Sequence, residues 1–250
     1  MRASNTESMK MQIPCSSCKK QCVSELLGTY ALVFLGPGSV VIASLIPNFT
    51  GFWATVFIGS VFGGTVGTMI FFLGKHSGAI INPAVTFGVA VARILHSRYF
   101  LPYLFFQVVG GLLAGLSLKI LFSSVGATNV RLGSTMLSPG INPIQGFTLE
   151  VVGTFVLTTA ALLASTQLHK AWQQGLLVGL TLFSLIQLIG PLTGAGFNPA
   201  RSLGPAFAAG FFENLPIYVI GPILGASMAG LVFRIVRENA RKSSSLVCLC

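Results

Sequence analysis

Six long apolar stretches dominate the chain, at about 23–45, 52–73, 99–122, 146–168, 171–190 and 214–236. Each is close to the roughly 20 residues that an α-helix needs to cross the hydrocarbon core of a bilayer. Charged residues make up only 8% of the chain, whereas soluble domains average about 25%. Because so few charges cannot cover a soluble surface, we expect an all-α membrane protein whose solvent is the lipid bilayer.

The positions of the basic residues indicate the orientation. A net charge of +10 could suggest a nucleic-acid partner, but the Lys and Arg residues lie between the apolar stretches or in the tails, as in cytoplasmic loops. Six spans place both termini on one side, and twelve basic residues fall on that side against three on the other. We therefore expect cytoplasmic termini, a cell-membrane location and no nucleic-acid partner. The polar N-terminus indicates no cleaved signal peptide.

One polar phrase occurs twice inside the otherwise apolar sequence. Ser77–Val85 reads SGAIINPAV, and Thr193–Arg201 reads TGAGFNPAR. Each phrase leads into a helical stretch too short to span a membrane, at about 83–94 and 199–209. Proline in the first helical turn suits both stretches, because its missing N–H is unpaired there in any case.

Other features recur in the same order along the chain. Glu25 opens the first apolar stretch and Glu150 opens the fourth, so each half contains three spans. An odd number of spans gives the two halves opposite orientations, and such inverted repeats place their site near the bilayer midplane. We expect a cytoplasmic N-terminal tail (1–22), a first repeat (23–125), an extracellular connection (126–145), a second repeat (146–237) and a cytoplasmic C-terminal tail (238–250).

The doubled phrase predicts two re-entrant loops, because non-helical backbone at membrane depth must be buried or line water. Each loop would present carbonyl acceptors and lead into a half-helix whose N-terminus points at the midplane. Asn82 and Asn198 would cap these half-helices and offer side-chain donors to the passage. The positive ends of the helix dipoles disfavour cations and protons. The sequence therefore predicts a narrow passage for small neutral molecules.

Glu25 and Glu150 are carboxylates inside membrane spans, where charged groups are costly. We expect them to accept backbone N–H groups of the two re-entrant loops. A proton-coupled transport site is the alternative, but neither Glu has a His or Lys partner for a relay. No Ser/His/Asp set, phosphate-binding loop or metal cluster indicates catalysis, so we expect no enzyme, no cofactor and no metal.

These features resemble the aquaporin, or major intrinsic protein, family over about residues 22–237. The resemblance rests on Glu25 and Glu150, on Arg201 directly after the second phrase, and on two Asn-Pro-Ala motifs in matching positions. The motifs are Asn82-Pro83-Ala84 and Asn198-Pro199-Ala200. The resemblance implies six tilted helices, two half-helices, one pore in each protomer and a homotetramer.

The resemblance also implies a four-residue constriction made of Phe62, Ile186, Ala195 and Arg201. Water-strict members carry His at the position of Ile186, so this chain lacks a donor there. Small Ala195 widens the opening further, and the combination is similar to archaeal, methanogen-type aquaporins. Ser202 is the water-channel residue where glycerol channels carry Asp.

We therefore expect a passive water channel with a relaxed filter that admits some small neutral solutes and excludes protons and ions. The first alternative is a facilitator for glycerol, urea, hydrogen peroxide or dissolved gas, with water secondary. A second alternative is a structural membrane protein with a closed pore, which would need bulkier residues than Ile186 and Ala195.

The five cysteines all lie in or near the tails, at Cys15, Cys18, Cys22, Cys248 and Cys250. The spacing of the first three resembles a metal or redox motif, but no second cluster of ligands follows. Reduced cytosolic thiols are the favoured interpretation, and acylation is a weaker alternative. Asn48 begins a glycosylation sequon on the expected outer side.

Overall fold

The computed structural model describes residues 18–123 and 127–247. Within these ranges the chain forms eight α-helices and one short 3₁₀ segment, Ala127–Gly133. The helices are α1 (Cys18–Leu45), α2 (Gly51–Ser77), α3 (Pro83–Val91), α4 (Ser97–Phe122), α5 (Pro143–Gln167), α6 (Ala171–Thr193), α7 (Pro199–Ala209) and α8 (Leu215–Val247).

Six of these helices are long and apolar enough to cross a membrane, which confirms the predicted number of spans. The helices α3 and α7 have only 9 and 11 residues, and they are the two half-helices expected from the sequence. The first ends at Val91, three residues before the predicted boundary, because the backbone turns into the left-handed region at Arg93 (φ 57°). The last span continues past its predicted end at 236 as a longer helix.

The two halves of the chain interlock through their half-helices. The half-helix α3 packs on α8 of the second repeat, and α7 packs on α4 of the first. These contacts are backbone to backbone, because Gly88 touches Gly230 and Gly204 touches Gly115. A side chain at any of these glycines would collide with the facing carbonyl, so small residues are what allow the half-helices to reach the centre.

Apolar and polar side chains are distributed as lipid surroundings require. Leu101, Ile120 and Leu188 lie on outer helix faces with 71%, 70% and 72% of their surface exposed. In contrast, Glu25 and Glu150 are completely buried. The two carboxylates therefore lie inside the described helices, close to the two half-helices, where they can support a passage.

Candidate functional site

The two asparagines of the doubled phrase cap the half-helices. The Oδ1 atom of Asn82 accepts N–H groups of the first turn of α3 at 2.9 and 3.4 Å. Asn198 caps α7 in the same way, at 3.0 and 3.3 Å. Pro83 and Pro199 occupy the first helical turn, where no N–H is missed. The sequence therefore ends each loop with a strong start signal for a helix.

The same two asparagines also hold the opposite halves of the chain together. The Nδ2 of Asn82 donates to the carbonyl of Phe197 at 2.9 Å, and Nδ2 of Asn198 donates to the carbonyl of Ile81 at 3.0 Å. An amide NH₂ has two hydrogens, so each side chain keeps one for the passage. The sequence predicted donors for the passage; the structure adds that one hydrogen of each amide joins the two loops.

Ala84 and Ala200, the third residues of the motifs, are completely buried. The carbonyl of Ala200 lies against Gly111 of α4, so the half-helix is in contact with the long helix from its first turn. A larger residue at either alanine would push the half-helix away from its neighbour.

Glu25 anchors the first re-entrant loop. One carboxylate oxygen accepts the Ser77 hydroxyl at 2.6 Å and the Ile80 N–H at 3.1 Å. The other oxygen accepts the Ile81 N–H and the Gln107 Nε2, both at 2.7 Å. Four donors thus satisfy a carboxylate that no solvent reaches.

Glu150 anchors the second loop with a similar arrangement. It accepts the Thr193 hydroxyl at 2.7 Å, the Gly196 N–H at 2.9 Å and the Phe197 N–H at 2.7 Å. Both carboxylates therefore contact the backbone N–H groups of their own loop. The arrangement fits a positioning role and involves no proton relay partner among the described residues.

Gln107 belongs to the first anchor and was missed by the sequence analysis. Its Nε2 bonds Glu25 and also lies 3.0 Å from the hydroxyl of Thr86 on α3, so it ties the loop to the half-helix. In the second repeat, Pro222 takes the corresponding place on α8. The hydroxyl of Ser202, which corresponds to that of Thr86, is buried without a partner. The sequence signal for the role of Gln107 was a lone Gln in an otherwise apolar span.

The anchors are needed because both loops have strained backbones. Ala79, Ile81, Ala195 and Phe197 all have left-handed φ angles, between 46° and 49°. This conformation costs a residue with a side chain about 1–2 kcal/mol. The bonds from Glu25, Glu150 and the two Asn amides offset that cost and fix the loop carbonyls.

Arg201 extends from α7 towards Gly133 and is 3% exposed. Its Nη1 donates to the carbonyl of Gly133 at 2.8 Å, and its Nη2 lies 3.4 Å from the carbonyl of Gly194. Its guanidinium carbon lies 5.2 Å from the centre of the Phe62 ring. Gly133 was also missed, because it is distant in sequence and carries no polar side chain.

Three of the four residues predicted for the constriction, Phe62, Ala195 and Arg201, line two adjoining cavities, whereas Ile186 lines only the larger one. An outer cavity of about 750 Å³ is lined by Phe62, Ile186, Ala195 and Arg201. An inner cavity of about 80 Å³ shares Phe62, Ala195 and Arg201 and also reaches Asn82 and Asn198. The structure thus brings together the constriction and both motifs on one path, with Arg201 as its charged member.

The inner cavity has mainly apolar walls. The apolar lining includes Val66, Ile70, Val85, Leu157, Val178 and Leu182. Polar contacts along it come from the two asparagines, Arg201, the loop backbones, and Ser165 and Gln174. A molecule entering this space therefore loses most of its water contacts and meets only a few fixed donors and acceptors.

Comparison with known proteins gives a consistent result. Residues 12–233 match the sequence profile described as Major intrinsic protein. The protein named Aquaporin AqpM from Methanothermobacter thermautotrophicus is 35% identical, over 87% of this chain and 97% of its own. Nodulin-26 of Glycine max is 34% identical, over 90% and 80%. The X-ray structure of the aquaglyceroporin from Plasmodium falciparum has the same fold, with a TM-score of 0.72 and 23% identity over 87% and 94% of the chains.

Proposed function

The chain belongs to the major intrinsic protein family, and on this premise we propose a passive water channel with a relaxed filter that also admits some small neutral solutes. The observation that carries the proposal is the lining of the larger cavity, where Phe62, Ile186 and Ala195 accompany one charged donor, Arg201. The similarity of the whole chain to archaeal proteins named aquaporin or probable aquaporin supports the same proposal. The family consists of channels, so we propose no enzymatic reaction for this chain.

Water can exchange its hydrogen bonds at each polar point of the path. Arg201, Asn82 and Asn198 donate, and the carbonyls of the two anchored loops accept. Apolar walls between these points bind water weakly, so molecules are not held. Passage of water therefore needs no conformational change of the chain.

Protons and cations are excluded by the same groups. The N-termini of α3 and α7 both carry partial positive charge at the asparagines, and Arg201 adds a full charge on the outer side. A water that accepts from both free Asn hydrogens must direct its own hydrogens away from both asparagines. The chain of water molecules is then broken for proton transfer at this point.

The relaxed filter is argued from Ile186 and Ala195. Ile186 offers no hydrogen bond to a passing solute, and Ala195 leaves room that a longer side chain would fill. These features also favour the second candidate, a facilitator whose main cargo is a small neutral solute. Ser202 follows the water-channel pattern and supports the first candidate.

The test is stopped-flow light scattering on proteoliposomes, with water, glycerol and urea compared for wild type and Ile186→His. We expect fast water flow and slow solute entry in wild type, and about a tenfold slower solute entry in the variant, because His narrows the opening and a barrier raised by about 1.4 kcal/mol slows passage tenfold. Ile186→Val is the matched control and should leave the ratio unchanged. Fast solute entry with modest water flow, lost in Ile186→His, would instead identify a solute facilitator.

Ala195→Cys should make the pore sensitive to mercury. A thiolate binds mercury tightly, and position 195 lines both cavities, so a bound ion would block the path. The background is a variant in which all five native cysteines are replaced by serine. We expect complete loss of water flow on adding mercuric chloride, with recovery by a thiol reagent. Mercury block of the cysteine-free background would contradict the assignment.

We also propose a homotetramer in the cell membrane, with both termini in the cytoplasm. The charge distribution of the loops supports the orientation. A groove between α2 and α6, lined by small residues and by Phe71, Phe72 and Trp172, leaves an apolar face free for neighbouring protomers. Cross-linking in native membranes and protease access to tagged termini are the direct measurements. The repeat boundaries given above stay predictions.

A further inference from the structure

Two thiols lie close together at the first turns of α1, away from the pore. The Sγ atoms of Cys18 and Cys22 are 3.8 Å apart. Cys18 is exposed and Cys22 is buried, so the pair has one open side. Residues four apart share a helix face, the same spacing that lets two His side chains of one helix bind a single metal ion. Neither thiol takes part in the anchors or the constriction.

We infer that Cys18 and Cys22 form a two-thiolate site for a soft, two-coordinate cation, with Cu(I) as the biological example. Sulfur ligands select soft ions of this kind. Metal–sulfur bonds of about 2.3 Å allow two sulfurs up to about 4.6 Å apart to hold one ion. The observed 3.8 Å fits a bent arrangement, and rotation of the exposed Cys18 side chain opens it to a linear one.

The described residues do not supply the ligand count of a structural zinc site. Structural zinc requires four ligands. Among residues 18–123 and 127–247, no third His, Cys, Asp or Glu joins the pair to make a group of three. Cys15, Cys248 and Cys250 lie outside these ranges. A cation that is satisfied by two sulfurs is therefore the class that the described residues can hold.

The geometry of the same pair is less suited to a disulfide. It requires Cβ atoms about 3.5–4.5 Å apart, whereas residues four apart on a helix have Cβ atoms about 5–6 Å apart. Closing the bond would pull the first turns of α1 out of regular geometry. Binding a cation keeps the helix intact and releases one proton from each thiol, so two thiols and Cu(I) give one bis-thiolate complex and two protons.

The thiol pair lies on the same helix as Glu25, which anchors the first loop. Cys22 lies three residues before Glu25, on the same face of α1 and one turn away. A cation that bridges Cys18 and Cys22 fixes the start of the helix that carries Glu25. In the proposed orientation the pair is on the cytoplasmic side of the membrane, where thiols stay reduced and able to bind.

The test measures Cu(I) retained by the purified full-length protein against the chelator bicinchoninate, without oxygen. We expect one Cu(I) per chain in wild type, and none in Cys18→Ser or Cys22→Ser. X-ray absorption should show two sulfur ligands and no nitrogen or oxygen ligand. Cys18 is exposed, so we expect Cys18→Ser to fold like wild type; Cys22→Ala is a second replacement for the buried position.

Two controls define the outcomes. The double variant Cys248→Ser/Cys250→Ser, and separately Cys15→Ser, should each retain one Cu(I). Retention by Cys18→Ser, loss in Cys15→Ser, or no binding by wild type would each overturn the two-thiolate site. Because the readout is metal content, it does not depend on what passes through the pore, and a failure of the proposed channel function would leave it unaffected.

Discussion

Replacing Glu150 by leucine is expected to abolish water flow and to prevent recovery of a stably folded protein. The side chain is completely buried and accepts three donors, at 2.7–2.9 Å, from the second loop. Leucine leaves these donors without partners, and each buried unpaired group costs about 1–3 kcal/mol. The loop also loses the bond that holds Phe197 in its left-handed conformation, so the wall beside Asn198 cannot keep its shape.

Thermal unfolding in detergent and stopped-flow water flow at matched protein density would measure both effects. Glu150→Gln is the matched control, since it keeps the shape and one acceptor oxygen; we expect reduced stability with part of the flow. A proton-coupled transporter would behave differently. Its Gln variant would stay as stable as wild type while uptake driven by a pH gradient disappeared, and that result would contradict a positioning role.

Replacing Arg201 by valine is expected to raise proton and cation leakage about 100-fold while water flow persists. A cation that passes roughly 6 Å from the guanidinium meets a repulsion of about 3 kcal/mol at an effective dielectric constant of about 20. Removing that repulsion changes a rate by about 100-fold. Valine also frees the carbonyls of Gly133 and Gly194, which then attract cations into the opening.

Proteoliposomes with a potassium-clamped potential and an internal pH indicator would measure the leak. Arg201→Lys retains the charge but cannot bond the carbonyls of both Gly133 and Gly194. We therefore expect cation exclusion close to wild type, with altered solute entry. An unchanged leak in Arg201→Val would mean that the dipole ends at Asn82 and Asn198 exclude charge by themselves. The pair of variants therefore separates the contribution of the constriction from that of the half-helices.

The fold was predictable because the bilayer imposes simple length rules. An apolar run near 20 residues reads as a span, and the repeated Asn-Pro sequence marks a helix start wherever it occurs. Glu25 and Glu150 stood out because a carboxylate within a membrane span is energetically costly and usually has a functional or structural role. The constriction was different: Phe62 and Ile186 are ordinary apolar residues, and only counting from the motifs of a resembling family singled them out. Their roles stay predictions.

The parts that sequence reasoning missed depend on contacts between distant segments. Gln107 and Gly133 become important only when α4 and the segment after it are packed beside Glu25 and Arg201. The cross-bonds of Asn82 and Asn198 likewise need both loops in place. The early end of α3 follows from a local turn at Arg93, for which the sequence carries no glycine signal.

The crossed asparagine bonds have a consequence for how the protein is made. Asn82 leaves the ribosome 115 residues before its acceptor Phe197, and Ile81 leaves 117 residues before Asn198. At about 5–20 residues per second, the first repeat waits roughly 6–20 s in the membrane with these groups unpaired. The passage closes into its final shape only when the second repeat arrives. An unfinished chain therefore lacks half of the groups that line the passage, and we expect it to form no water path.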